Sequence, residues 1–198
     1  MPRNSYKLII LLFWLFLLSG CGINNIPTYD EQVKSSWSQV ENQYQRRADL
    51  IPNLVETVKG YAAHEKETLM AVVEARSKVG GLQATGDLIN NPAKLQQFEQ
   101  AQAKLSGALQ RLMVVVERYP DLKSNQNFLA LQSQLEGTEN RISVARRDYI
   151  AAIKLYNTEI RTYPGRLWHK WLYSEMILRE SYYTATAEKA DQVPQVSF

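Results

Sequence analysis

One cysteine and two histidines, Cys21, His64 and His169, are the side chains of this 198-residue chain best suited to nucleophilic or metal chemistry. A single cysteine forms neither an internal disulfide nor a thiolate metal cage. His64-x-x-Glu67 has the i, i+3 spacing that puts two ligands on one helix face, but the pair stands alone. Di-iron bundles need Glu-x-x-His on two helices with further carboxylates, because two hard ions require several inward oxygens and two imidazoles. Glu136 and Glu139 repeat the spacing without a histidine. The plainer reading of His64 is a polar, solvent-facing turn. No HExxH, P-loop, GxSxG or dinucleotide-binding glycine pattern occurs. The expectation is a chain with no catalytic residue, no metal and no enzymatic activity.

The surroundings of Cys21 point to a different chemistry. Arg3 and Lys7 precede an unbroken apolar run over residues 8–18 (LIILLFWLFLL), followed by Ser19, Gly20 and Cys21. Basic, apolar and small-residue regions in that order make a secretory signal. Eleven apolar residues fall short of the roughly 20 a membrane-spanning helix needs. Leu18-Ser19-Gly20-Cys21 resembles the bacterial lipobox, in which the cysteine thiol is acylated and cleavage occurs before it. The expectation is lipidation at Cys21, with no cofactor beyond that covalent lipid, and no free thiol for a nucleophile. Several acyl chains on one residue give stable attachment, each buried CH2 contributing about 0.8 kcal/mol. Gly22 is not the aspartate that the lipoprotein resemblance associates with inner-membrane retention. An outer-membrane lipoprotein facing the periplasm is therefore expected in a Gram-negative host.

Composition bounds the rest of the chain. It is 45% hydrophobic and 22% charged, which suits one folded domain and excludes disorder or fibrous repeats. Lys and Arg number 23 against 20 acids; the first twenty residues hold two of the cations and no acid, leaving 21 against 20. The pI near 8.9 thus gives little reason to expect a nucleic-acid partner, which needs a concentrated cationic face.

The elements that position these residues read as helix. Residues 21–29 have turn-forming types and suggest a short lipidated tether after a signal at 1–20. Trp37, Tyr44, Ile51, Val58, Val72 and Val79 share a seven-residue register interrupted at Glu65, and Val33, Val40, Leu54, Tyr61 and Ala75 fill the companion register. This predicts one long helix over about 30–79, kinked or locally broken at Pro52, whose absent N–H cannot bond the Ala48 carbonyl. A second helix over about 92–119 is predicted with Asn91 as N-cap and Pro92 at its first position. A third, over about 124–163, carries Phe128, Leu135, Ile142, Tyr149, Tyr156 and Tyr163 at intervals of seven, joined by Thr138 and Ala145. After Pro164-Gly165 a shorter, irregular helix is predicted to about 183, followed by a polar tail at 184–198. The fold expected is all-α, an antiparallel bundle of three long helices plus a shorter C-terminal helix, with one bundle domain over 30–183.

Polar residues interrupt the apolar stripes. Arg46, Arg47 and Asp49 precede Pro52, and Asn53 and Glu56 follow it; Glu139, Asn140, Arg141, Arg146 and Arg147 lie midway along the third helix. Arg47 occupies a core register position. If the first and third helices pack antiparallel, these groups meet and Arg47 could pair with Glu139. A buried charge without a partner would cost several kcal/mol. Such a layer is either a salt bridge that sets helix register or a polar ligand groove. Trp168, Trp171, Tyr173, Tyr182 and Tyr183 with Arg166, Lys170 and Arg179 form a basic-aromatic segment that suits packing on the bundle, a headgroup interface or a protein interface. The terminal Val196-Ser197-Phe198 has the form of a C-terminal peptide that adds to a partner's sheet edge or seats its carboxylate in a pocket.

Three blocks carry a wider resemblance: residues 37–67 (WSQVENQYQRRADLIPNLVETVKGYAAHEKE), Tyr119-Pro120-Asp121-Leu122-Lys123, and residues 134–142 (QLEGTENRI). Together they resemble the LemA family of bacterial envelope proteins over most of residues 29–164. The resemblance implies a bundle of long antiparallel helices and no particular activity. Family members often carry a simple N-terminal membrane helix, whereas the lipobox favours a lipoprotein here. The function expected is a lipid-anchored, non-enzymatic scaffold or adaptor for protein–protein interaction in the envelope, with the membrane and unidentified envelope proteins as partners. Long heptads leave homo-oligomers open. The alternative is an envelope binding protein or enzyme with a polar pocket between the first and third helices.

Overall fold

The computed structural model describes residues 22–83 and 88–179, and all regular structure within them is helical. Six helices follow in order: α1 Asn25–Lys59, α2 Lys66–Gln83, α3 Pro92–Val116, α4 Pro120–Lys123, α5 Gln126–Arg161 and α6 Gly165–Leu172. Four of them, α1, α2, α3 and α5, alternate in direction and form the bundle. Residues 1–20, Cys21 and the tail at 184–198 lie outside the described residues.

The longest predicted helix is two helices. α1 begins at Asn25, so five residues expected in the tether are already helical. It runs through Pro52 without a break and stops at Lys59. The turn spans Gly60 to Glu65, where the heptad register lapses. Gly60 is about 1 kcal/mol poorer than Ala inside a helix, and Ala62, fully buried, tucks back with its N–H on the Val58 carbonyl at 2.8 Å. A single helix over 30–79 would leave half its apolar stripe uncovered. Folding back lets Leu69, Val72 and Val79 of α2 complete a core with Leu54, Val55 and Val58 of α1.

Caps fix the other long helices. Asn91 Oδ1 accepts from the Lys94 N–H at 3.1 Å with Pro92 in the first turn of α3. Asn125 Oδ1 accepts from the Phe128 N–H at 3.0 Å and opens α5. Each cap satisfies an end donor that the helix itself cannot. The α5 stripe is buried at Phe128, Leu135, Ile142, Tyr149 and Tyr156, and buried Thr138 donates to the Gln134 carbonyl of its own helix. Tyr163 departs from expectation: it is 70% exposed, because α5 ends at Arg161 and Thr162 is extended, which takes the next residue off the register.

α1 and α5 run antiparallel along their length. Asn25 bonds Glu159 at one end, and the turn after α1 meets the start of α5 at the other, where Asn125 donates to the Tyr61 hydroxyl. Between them Trp37 packs on Tyr149 at 5.1 Å, and Phe98 of α3 makes edge contacts with Trp37 and Tyr44. This aromatic cluster joins three helices.

The last helix is far shorter than predicted. α6 has eight residues, ending where Tyr173 takes φ −130°, ψ 35°. The chain then turns back along the bundle. The Tyr156 hydroxyl donates to the Ile177 carbonyl at 3.1 Å, and Asn157 exchanges two hydrogen bonds with the backbone of Arg179. Bonds to bundle side chains replace the helical ladder along this segment.

Candidate functional site

Two inward-facing arginines organise the polar interior. Arg47 faces inward from α1 and is 2% exposed. Its Nη1 donates to Glu139 Oε2 at 2.8 Å and to Ser106 Oγ at 3.0 Å, its Nη2 donates to Gln102 Oε1, and its guanidinium lies 5.2 Å from the Tyr44 ring centre. Side chains from α1, α3 and α5 therefore meet at one charge. Glu139 reaches in from the surface with its side chain 55% exposed. The bridge is half solvated, which lowers its desolvation cost.

The other polar residues singled out in the sequence do not join this layer. Arg46, Asp49, Asn53, Glu56, Asn140 and Arg141 are exposed. Asp49 accepts from Gln45, and Glu56 bonds Lys59, within α1. Arg146 reaches Glu99 of α3 at 3.4 Å, and Arg147 is exposed beside Asp148. Arg46, Asp49, Asn53, Glu56 and Arg147 face solvent, Arg146 spans the α5–α3 side, and Asn140 and Arg141 line a groove between α1 and α5. The missing members were Gln102 and Ser106. Gln102, i+4 from Phe98 and i−3 from Leu105, was a polar residue in an apolar stripe and offered the signal.

Arg179, in the basic-aromatic segment for which packing on the bundle is one reading, is almost buried, and its Nη2 donates to Asp30 Oδ1 at 2.7 Å. Asn90 Oδ1 also accepts from it, and Tyr156 places its ring 5.8 Å from the guanidinium. Lys34 bonds the other Asp30 oxygen at 2.9 Å. Burial alone would raise the Asp30 carboxyl, but hydrogen bonds and charge from Arg179 and Lys34 outweigh it and hold the pKa below its usual 3.8. Burial raises the Tyr44 and Tyr156 hydroxyls, so both stay protonated.

Of the remaining aromatic segment, Trp168 and Tyr173 pack partly against the core, whereas Trp171 is 74% exposed. Tyr182 and Tyr183 lie outside the described residues. His64 is exposed in the α1–α2 turn rather than within a helix, and His169 Nε2 sits 2.9 Å from the Met176 carbonyl.

The larger grooves on the surface of the described residues include three that neither Arg47 nor Glu139 lines. One of about 740 Å³ lies around Asp30, Arg179 and His169. A second of about 740 Å³ runs between α2 and α3 over Ala71, Ala75, Ala101 and Ala108. The third, about 460 Å³, follows the outer seam of α1 and α5 past Gln39, Gln43, Asn140 and Arg141. Gln43 Oε1 is buried there without a hydrogen-bond partner among the described residues.

No helix among the described residues is long and apolar enough to cross a membrane. Among known proteins, this chain is 32% identical over 161 residues to magnetosome protein MamQ 2 of Paramagnetospirillum magneticum, covering 71% of this chain and 58% of the relative. It is 28% identical over 173 residues to magnetosome protein MamQ of Magnetospirillum gryphiswaldense, covering 78% and 60%. It is 22% identical over 168 residues to protein LemA of Metamycoplasma hominis, covering 82% and 73%. The chain thus spans about three fifths of the length of the magnetosome relatives it matches. Residues 36–198 match the sequence pattern of the LemA family, which takes in nearly the whole bundle, and the chain belongs to that family.

Proposed function

We infer that this chain is a lipid-anchored envelope protein whose bundle acts as a scaffold or adaptor for other proteins and carries out no reaction. One observation carries the reading: Arg47, the buried charge best placed to hold a ligand, is bonded by Glu139, Ser106 and Gln102 of the bundle itself. Arg179 is bonded in the same way by Asp30 and Asn90. Exposed apolar side chains such as Met70, Val73 and Val114 lie instead on the outside of α2 and α3, where another protein can reach them. The names of the relatives state no reaction. Acyl chains on Cys21 would hold the start of α1 at the membrane and raise the local concentration of the bundle for membrane-held partners. Where the host has an outer membrane, Gly22 favours sorting there, with the bundle in the periplasm.

The test is a crosslinking pull-down of the full chain from gently solubilised membranes beside a Cys21→Ser form. A single recurrent partner recovered only with the acylated form supports the adaptor. Absence of a partner from both samples rejects it. A ligand-binding reading is favoured by buried polar atoms that find no hydrogen-bond partner among the described residues, Arg47 Nε and Gln102 Nε2 in the polar layer and Gln43 Oε1 in the α1–α5 groove; of these three residues Gln43 is the one that lines a described groove. A Gln43→Leu form indistinguishable from the parent in ligand-screening thermal shifts would remove that alternative.

A further inference from the structure

The fold brings the basic-aromatic helix to the end of the bundle that bears the candidate anchor. Glu159 is the common neighbour. Asn25 at the start of α1 donates to its carboxylate at 3.1 Å, and a Cβ on Gly22 would lie 3.8 Å from the same oxygen. Gly165, the first residue of α6, packs so closely on Glu159 that a Cβ there would fall 2.2 Å from its carbonyl oxygen. Residue 22, one peptide bond after Cys21, and the first turn of α6 therefore flank one residue.

α6 has the composition of an interfacial helix. Trp171, Leu167 and Leu172 are exposed, and exposed Ile177 and Leu178 follow in the returning segment. Arg166 and Lys170 are exposed and α6 has no acid; Glu175 is the acid in the turn after it. Exposed Tyr163 precedes it. Amphipathic aromatic rings beside Lys and Arg partition to the headgroup level of a bilayer, and basic residues add attraction to anionic lipid.

We propose that α6 is a second membrane contact that lies in the headgroup region of an anionic leaflet beside the acylated Cys21. The proposal rests on the lipid-anchor reading for its geometry. Two contacts at one end hold the bundle axis upright, whereas one flexible anchor leaves it free to tilt. Trp171 and its apolar neighbours enter the interface, and Arg166 and Lys170 meet lipid phosphates.

Two measurements separate this proposal from the anchor itself. In the first, mature acylated protein is reconstituted into phosphatidylglycerol-containing vesicles with brominated acyl chains, and tryptophan emission is read. Trp37, twelve residues into α1 from Asn25, sits about 18 Å along the helix and serves as the distant control. With Trp168, half-buried in the same helix, replaced by Phe throughout, strong quenching that Trp171→Phe largely abolishes is expected. Unquenched Trp171 in protein that mass spectrometry shows to be acylated overturns the proposal and leaves the anchor standing. In the second, a chain beginning at residue 21 with Cys21→Ser is sedimented with the same lipids unbrominated. Anionic vesicles are expected to carry it down, and Arg166→Glu with Lys170→Glu to weaken partitioning by roughly thirty-fold or more. If Cys21 proves unacylated, the anchor reading falls and this arm alone decides. Absence of sedimentation, or sedimentation indifferent to the charge reversals in variants with unchanged circular dichroism, rejects the membrane contact.

Discussion

Arg76 of α2 donates from Nε to the carbonyl oxygen of Ala48 at 2.8 Å, and that oxygen is the acceptor which Pro52, lacking an N–H, leaves without its helical donor. The proline that disrupts one bond within α1 thereby creates the point at which α2 is tied to it. A buried carbonyl left unpaired costs about 1–3 kcal/mol. Arg76→Met should therefore destabilise the bundle by about 1–2 kcal/mol. In a Pro52→Ala background, where position 52 regains an N–H that can bond the Ala48 carbonyl, the same change should cost less by ~1 kcal/mol or more. A urea double-mutant cycle measures the coupling; additivity within about 0.5 kcal/mol would mean that the two residues are independent.

The Arg47 layer should respond unequally on its two sides. Arg47→Met strands buried Gln102 and is expected to cost about 2–4 kcal/mol. Glu139→Gln keeps an acceptor at a half-exposed position and should cost about 1 kcal/mol or less. Glu139→Arg sets a second cation beside a buried one and should lower the melting temperature more than Glu139→Gln. An unchanged melting temperature for Glu139→Arg would show that Glu139 does not compensate Arg47.

Asp30 should make stability depend on acid pH. Its folded pKa is depressed, so in the acid range the unfolded chain binds the proton more readily than the folded one. The contribution is present above about pH 4, near the unfolded value, and is lost as pH falls through the folded value. Chemical denaturation at pH 7 and pH 3 should show a smaller acid loss for Asp30→Asn than for the parent. Equal losses would place the acid-sensitive group elsewhere.

Gly165 is required by close approach. A methyl group there meets backbone at Glu159, which cannot swing aside as a side chain would. Gly165→Ala should cost about 1–3 kcal/mol and loosen α6. Hydrogen exchange should quicken in α6 and the 173–179 segment while α1 and α5 keep their protection. Unaltered exchange in α6 would mean that the contact relaxes without consequence.

Much of the bundle was legible because heptad spacing is a direct projection of burial. Phe128, Leu135, Ile142, Tyr149 and Tyr156 are spaced by seven and all are buried, since a helix with a covered stripe needs apolar side chains at that period. Asn91-Pro92 announced the start of α3 because capping is local chemistry. Periodicity does not report which helix covers the stripe. The fold-back at Gly60 was visible only as a lapse at Glu65, and Tyr163 kept its spacing after the helix that gave the spacing meaning had ended. Of the polar sites, Arg47 stood out as a charge in a core position. Gln102 and Ser106 were missed because they belong to a third helix that the two-helix register could not place.

By itself, then, the sequence determined the helical class, the apolar faces, the Asn91 cap and the family blocks, all properties that follow from residues near one another in the chain. Tertiary structure alone decided that Arg179 pairs with Asp30 across 149 residues, that Arg76 repairs the bond lost at Pro52, and that α6 lies beside Gly22. Those relationships depend on how four helices and a returning segment close on one another. Each helix can satisfy its own backbone, but a buried charge or an uncovered apolar face is satisfied only by whatever the completed packing brings to it.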